Sequence, residues 1–204
     1  YTRNGTWFVG GGHLGHWRDD RVRYQGYGGY ADIRMKFFGL PGGVGLVGGG
    51  VKFRSQGALI DQQLLFRWGQ SDFFIGGKYA YSTVDTAPDG GVVPPSLDLT
   101  MEADLSSLGL VLNYDSRDNI FTPNSGLDST LKLARNDQAI GSDFNFTQLD
   151  FDLKYYKPIG PDWVIGARLN SSNVNGDIPF YAVPFIKMRG IPALRYQGEH
   201  IALA

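Results

Sequence analysis

Side chains alternate in polarity with a period close to two along almost the whole chain, and no segment holds a 3.6-residue period. A chain of this kind presents two unlike faces on each segment, which suits antiparallel strands and not helices. From Gln25 to Phe37 the odd positions Gln25, Tyr27, Gly29, Ala31, Ile33, Met35 and Phe37 form a largely apolar row against Asp32, Arg34 and Lys36. The same alternation marks Val44 to Arg54, Leu59 to Trp68, Phe73 to Thr83, Leu105 to Tyr114, Leu127 to Leu133, Asn145 to Tyr155 and Trp163 to Ser171. A glycine-rich strand around Thr6 to Trp17 and another starting near Glu199 bring the predicted set to about ten.

Composition narrows the choices. The chain has no cysteine, so disulfides, thiolate metal sites and cysteine nucleophiles are excluded. Its formal charge of -1 gives no footprint for nucleic acid. No run of apolar residues is long enough for a membrane-crossing helix, a test that a β-barrel escapes because its strands are only half apolar. Tyr1-Thr2-Arg3 does not open a basic and apolar leader, so an exported form is expected to begin after its leader.

Alternation alone also fits a soluble barrel or sandwich with its apolar face inside. Three features favour an outer-membrane barrel. The aromatics Phe37, Trp68, Phe73, Tyr155 and Trp163 crowd toward one end of the predicted strands, as an interfacial girdle requires. The predicted strands, about nine to thirteen residues long, suit a tilted bilayer crossing. Connections are mostly short at one end (Phe38-Gly43, Gly69-Asp72, Arg117-Gly126, Pro158-Asp162) and mostly longer at the other (Asp85-Asp104, Asn136-Asp143, Val174-Gly198). Ser55-Ala58 is read as a short turn on the long-loop end. The polar face then becomes the lumen. It carries Arg34, Lys36, Lys52, Arg54, Arg67, Lys78, Lys132, Lys154 and Arg168 against Asp32, Asp61, Asp128, Asp150 and Asp152, a modest basic excess. Such a wall is either internally paired or favours anions or an inserted acidic element.

Chemistry-bearing motifs are weak. His13 and His16 fall on opposite strand faces, and with His200 they are the chain's three histidines, so no metal site is expected. The glycine run Gly42 to Gly50 has no following helix and no suitably placed acidic residue for a dinucleotide loop. Ser71-Asp72 lacks a nucleophile elbow. No enzyme activity and no cofactor are predicted.

Two segments carry a family resemblance. Asn113-Tyr114-Asp115-Ser116-Arg117-Asp118-Asn119 followed by Pro123-Asn124-Ser125-Gly126 resembles the D-x-R-D-N, P-x-x-G turn of the bacterial surface antigen barrels, the superfamily of BamA, TamA and the mitochondrial Sam barrel. Pro179-Phe180-Tyr181, then Lys187-Met188-Arg189-Gly190-Ile191-Pro192, resembles that family's long sixth external loop with its R-G tip; here Ile191 stands where the family has an aromatic. The resemblance implies an all-β antiparallel transmembrane barrel, about ten of sixteen strands lying in a single incomplete domain, 1–204, with no POTRA domain. It implies that the long loop folds into the lumen, with Arg189 ion-paired to an inner-wall carboxylate. In the family the acidic partners sit on later strands, beyond Ala204; within this chain Asp150 and Asp152 are inward candidates only, and Gly190 permits the turn. Asp115, Arg117 and Asp118 form a structural cluster at the periplasmic turn, shaped by Pro123 and Gly126. The implied function is assisted insertion or translocation of proteins or lipids at the bacterial outer membrane. The implied partners are membrane lipids, unfolded outer-membrane clients or a periplasmic protein. A passive channel with mild anion preference and the anchor of a larger secreted effector remain as alternatives.

Overall fold

Nine strands pair in strict sequence order into one antiparallel sheet in the computed structural model, which describes residues 2, 4–37, 51–90 and 100–204. They are β1 (Trp7–Trp17), β2 (Val22–Phe37), β3 (Val51–Arg67), β4 (Phe73–Pro88), β5 (Met101–Asp115), β6 (Gly126–Asn136), β7 (Phe146–Ile159), β8 (Trp163–Gly176) and β9 (His200–Leu203). The sheet is open, with β1 and β9 as its edges. Among the described residues the one helical element is the short 3-10 turn Gln138–Ile140, whose first free N–H groups are capped by the Asp137 side chain.

Long-range pairs show that the sheet is curved. Arg23 on β2 reaches Asp115 on β5 at 2.9 Å. The two strands are three spacings apart, roughly 14 Å on a flat sheet, so the pair closes only on a strongly concave face. Leu65, Phe74 and Val111 form a buried cluster on that face. Two glycines let β3 and β4 bend. A Cβ at Gly57 would lie 1.8 Å from the Thr83 carbonyl oxygen, and one at Gly76 would lie 1.9 Å from the Leu64 oxygen.

The register corrects part of the sequence reading. Ser55 to Ala58 is not a turn; it lies inside β3, which runs unbroken for 17 residues, so Val51 to Arg54 and Leu59 to Arg67, from two predicted segments, belong to one strand, while Val44 to Gly50 lie outside the described residues. The ten expected strands become nine. The turn at residues 18–21, rich in charge, replaces it in the alternation of ends. β2 through β5 run 15 to 17 residues, longer than the predicted lengths. The Phe38-Gly43 connection lies outside the described residues, as does the Phe37 side chain. Phe37 itself closes β2 at the long-connection end, not at the short-turn end.

The hydrophobic phase also inverts partway up β2 and β3. Near the short turns the convex positions are mostly apolar, Tyr24, Ile60, Leu64 and Phe66, with Gln62 among them accepting from the Tyr24 hydroxyl. Farther up, the same convex row carries Asp32, Arg34 and Lys36, cross-paired with Gln56, Arg54 and Lys52. Asp32, Arg34, Lys36, Lys52 and Arg54 are therefore not concave wall residues, contrary to the sequence expectation. The concave positions beside them, Met35 and Phe53, are apolar because the long loop packs there. An inversion of phase within one strand reads, in sequence, like a turn.

That loop, residues 177–199, lies over the concave face. Phe53 is 1% exposed and packs with Leu194, Met35, Phe180, Tyr181 and Phe185. The loop has its own ladder: Phe185 bridges Gln197, Ile186 N–H donates to Tyr196 O, and Gly198 N–H donates to Pro184 O. Leu194 is buried although its φ is +61°, a conformation costly for a branched residue and held here by packing. Phe53→Ala should cost about 3–5 kcal/mol of local packing and detach the loop. Limited proteolysis would then cut within 177–199, where the parent resists.

Candidate functional site: the charged concave wall and its docked loop

The inner wall near the short turns carries a chain of alternating charges that crosses most of the sheet. Arg67 on β3 and Arg23 on β2 both bind Asp20 in the β1–β2 turn, each at 2.6 Å. Arg23 continues to Asp115, and Arg117 binds Asp115 at 2.8 Å. Arg117 lies 3.6 Å from Asp128 on β6, and Lys154 on β7 bridges Asp128 at 3.2 Å and Asp152 at 3.1 Å. Arg168 on β8 closes the row on Asp152 at 2.7 Å. The Phe74 ring lies under both Arg23 and Arg67, with centroids 3.8 and 4.5 Å from the guanidinium carbons. Asn113 ties the row to β6 by donating to Asp128 Oδ1 and Thr130 Oγ1. Each charge has opposite-sign partners on another strand or turn, so the row fixes the curvature that a glycine-rich sheet would otherwise leave loose.

The turn after β5 supplies part of this row. Asp118 Oδ1 accepts from the Asn124 and Ser125 N–H groups, and Asn119 accepts from Phe121 and Thr122. These backbone donors hold the Asp118 carboxyl below the usual carboxylate range. Gly126 has φ +106°, and a Cβ there would lie 2.3 Å from the Ser116 oxygen, so the position tolerates only glycine. Pro123 sits half-buried in the same turn.

Of the expected wall charges, Asp61, Arg67, Lys78, Lys132, Asp150, Asp152, Lys154 and Arg168 are on the concave face. Lys78 binds Asp61 at 2.6 Å. Gln148 and Ser172 donate to Asp150. Lys132 has no acidic partner within ion-pair distance among the described residues, and it opens onto three neighbouring cavities. The largest of the three, about 550 Å³, lies between β6–β8 and loop residues Tyr181–Phe185. The Tyr181 hydroxyl is buried without a hydrogen-bond partner; burial, with Asp143 and Asp104 nearby, pushes it up to about 12.

Arg189 pairs with neither inward candidate. It is exposed at the tip of the loop hairpin, and Asp150 and Asp152 are engaged by other groups; no ion pair joins either to Arg189 among the described residues. Gly190 does adopt the turn conformation that favours glycine, with φ +86°. On the convex face Trp68, Phe73, Tyr155 and Trp163 are exposed near the short turns, and Trp17 joins them.

Sequence reading missed Arg23, Asp20 and Phe74. Of the two Arg23 partners, Asp20 is three residues away, but Asp115 lies 92 residues away and leaves no local signal. The one available signal was the dense charge of Arg18 to Arg23 in a turn.

This wall, built of sequential antiparallel strands with a long loop across it, has counterparts among known proteins. Residues 28–184 match the family model described as the Omp85 superfamily domain. The chain belongs to the Omp85 superfamily. Among solved structures, BamA from Haemophilus ducreyi lacking POTRA domains 1–3 matches with a TM-score of 0.62 at 15% identity. The match covers 92% of this chain and 37% of that one, so this Omp85 chain spans well under half of its neighbour. At that identity the likeness concerns the fold. No curated protein matches the chain.

Acid should weaken the charged row of the Omp85 wall. Burial alone would raise the Asp20 carboxyl, but hydrogen bonds from Arg23, His16 and Arg67 outweigh it and hold it far below the ordinary range. A carboxylate depressed in the folded state stabilises above its unfolded value, about 3.9, and that stability is lost as pH falls toward the folded value. The Asp20 contribution should therefore be complete near neutrality and decline progressively once the pH falls below about 4. Asp20→Asn should be less stable near neutrality, with a flatter acid limb, in denaturant titrations across that window.

Proposed function

We propose that this chain forms part of the membrane-embedded wall of a bacterial outer-membrane barrel of the BamA/TamA type, which assists insertion or translocation of proteins. Its partners are membrane lipids and unfolded outer-membrane clients. The loop 177–199 docked on a charged concave wall is the observation that carries this reading. Such a wall encloses a polar interior that a loop can enter and leave, which is what a conduit for polypeptide requires. Convex rows support the membrane placement. Leu108, Leu110, Leu112 and Tyr114 on β5 and Trp163, Ile165, Ala167 and Leu169 on β8 each form an apolar run of about 20 Å along the strand.

The passive anion channel loses its support. The described strands place six cations on the concave face (Arg23, Arg67, Lys78, Lys132, Lys154, Arg168) against five acids (Asp61, Asp115, Asp128, Asp150, Asp152), and all those cations but Lys132 are in ion pairs.

The test is reconstitution of the full-length protein in lipid vesicles with a urea-denatured outer-membrane protein as client. Assembly predicts faster client folding than in empty vesicles, read by gel mobility. Steady conductance without any acceleration would contradict it and favour the channel.

A further inference from the structure

Antiparallel pairing places like charges directly opposite one another high on the convex face. Arg34 pairs with Arg54, and Lys36 pairs with Lys52. Such cross-strand repulsion destabilises a sheet unless an anion offsets it. Two carboxylates answer part of the charge: Asp32 takes Arg54 at 2.6 Å and Asp89 takes Arg34 at 3.2 Å. Lys36 and Lys52 are exposed, and neither has an acidic partner within ion-pair distance among the described residues. Four cations against two acids leave a local surplus of two. Arg34, Lys36 and Lys52 also line a rim recess of about 630 Å³ with Asp89, Pro192 and Ala193.

The level of this patch matters as much as its sign. Directly below it on the convex face come Trp7 and Tyr30, with ring centroids 5.7 Å apart, and then Ala58 and Ile60. An aromatic pair above an apolar row and beneath a basic cluster matches, in order, the headgroup boundary of a bilayer. Resting on the membrane reading above, we propose that this patch binds phosphate-bearing lipid headgroups of the leaflet on the long-loop side. Lys36 and Lys52 are the primary contacts, because flexible ammonium groups with open coordination suit a phosphate that arrives with its lipid. Arg34 and Arg54, each fixed by a carboxylate, add field. The apolar row beneath holds the acyl chains, which a free phosphate does not have.

The test uses the full-length protein in phosphatidylcholine vesicles carrying spin-labelled phosphatidic acid or spin-labelled phosphatidylcholine. Electron paramagnetic resonance reports the lipid immobilised at the protein surface. The parent should prefer the phosphomonoester lipid, and the double variant K36Q/K52Q should lose at least about five-fold of that preference. Both should keep the same shell of immobilised phosphatidylcholine, which shows that the variant is folded and embedded. An unchanged preference in K36Q/K52Q overturns the proposal. So does equal loss of preference when inorganic phosphate is added, which would make the site one for free phosphate. Absence of any immobilised lipid overturns the membrane reading itself.

Discussion

Asp115→Ala is expected to lower the stability of the folded wall by about 3–5 kcal/mol, the usual penalty for removing one partner of a buried ion pair. The Asp115 side chain is 3% exposed and accepts from Arg23 Nη1 at 2.9 Å and from Arg117 Nε and Nη2 at 2.8 and 3.1 Å. Its loss leaves two desolvated guanidiniums without the charge between them, and it cuts the row of charges in the middle. The charged row would then no longer link β2 and its turn to β6–β8. Asp115→Asn keeps the shape but replaces charge-assisted bonds with neutral ones about half as strong, so a smaller loss is expected. Asp115→Ala in an Arg117→Ala background should cost less than in the parent, because the two share one interaction. Urea midpoints for the parent and the four variants decide it; a change within about 0.5 kcal/mol for Asp115→Ala would remove the residue from any anchoring role.

The second large effect concerns curvature. Gly57→Ala and Gly76→Ala each put a methyl within 2 Å of a carbonyl oxygen on the adjoining strand. Backbone cannot yield as a flexible side chain can, so each substitution should cost about 1–3 kcal/mol or more and open the β3–β4 bend. Gly77 is the control. A Cβ there would have its nearest neighbour at 3.7 Å, and relief of glycine's conformational entropy should leave Gly77→Ala neutral or slightly more stable. Equal behaviour of all three variants would show that the bend does not depend on bare backbone.

The fold class was legible in the chain because a period of two is a local signal, while the docking of the long loop was implied by the family resemblance. The faces of β5 to β8 were legible for the same reason. The upper half of β2 and β3 was not. There the convex row turns polar and the concave row apolar within one continuous strand, and Ser-Gln-Gly-Ala at 55–58 imitates a turn at the crossover. Composition marks Gly57 as a break, whereas the structure uses it for close approach to Thr83. The turn motif at Asp115 to Gly126 was visible, but its connection through Arg23 to Asp20 was not, since a pair across 92 residues leaves no trace in spacing. For Arg189 the family pattern implied a partner on strands outside this chain, and neither inward candidate, Asp150 or Asp152, pairs with it.

The central claim is that convex residues meet lipid and concave residues meet water, and β6 offers the most direct measurement. Thr130 and Lys132 line the concave cavities, while Leu131 and Leu133 are exposed on the convex face. This segment contains no cysteine, so single spin labels at 130, 131, 132 and 133 can be read one by one in the reconstituted full-length protein freed of any cysteines elsewhere. Labels at 131 and 133 should be reached by oxygen dissolved in lipid and shielded from a water-soluble nickel complex, with the reverse at 130 and 132. Uniform access of the nickel complex at all four positions, or the inverted alternation, would contradict the account and make this sheet the wall of a soluble barrel.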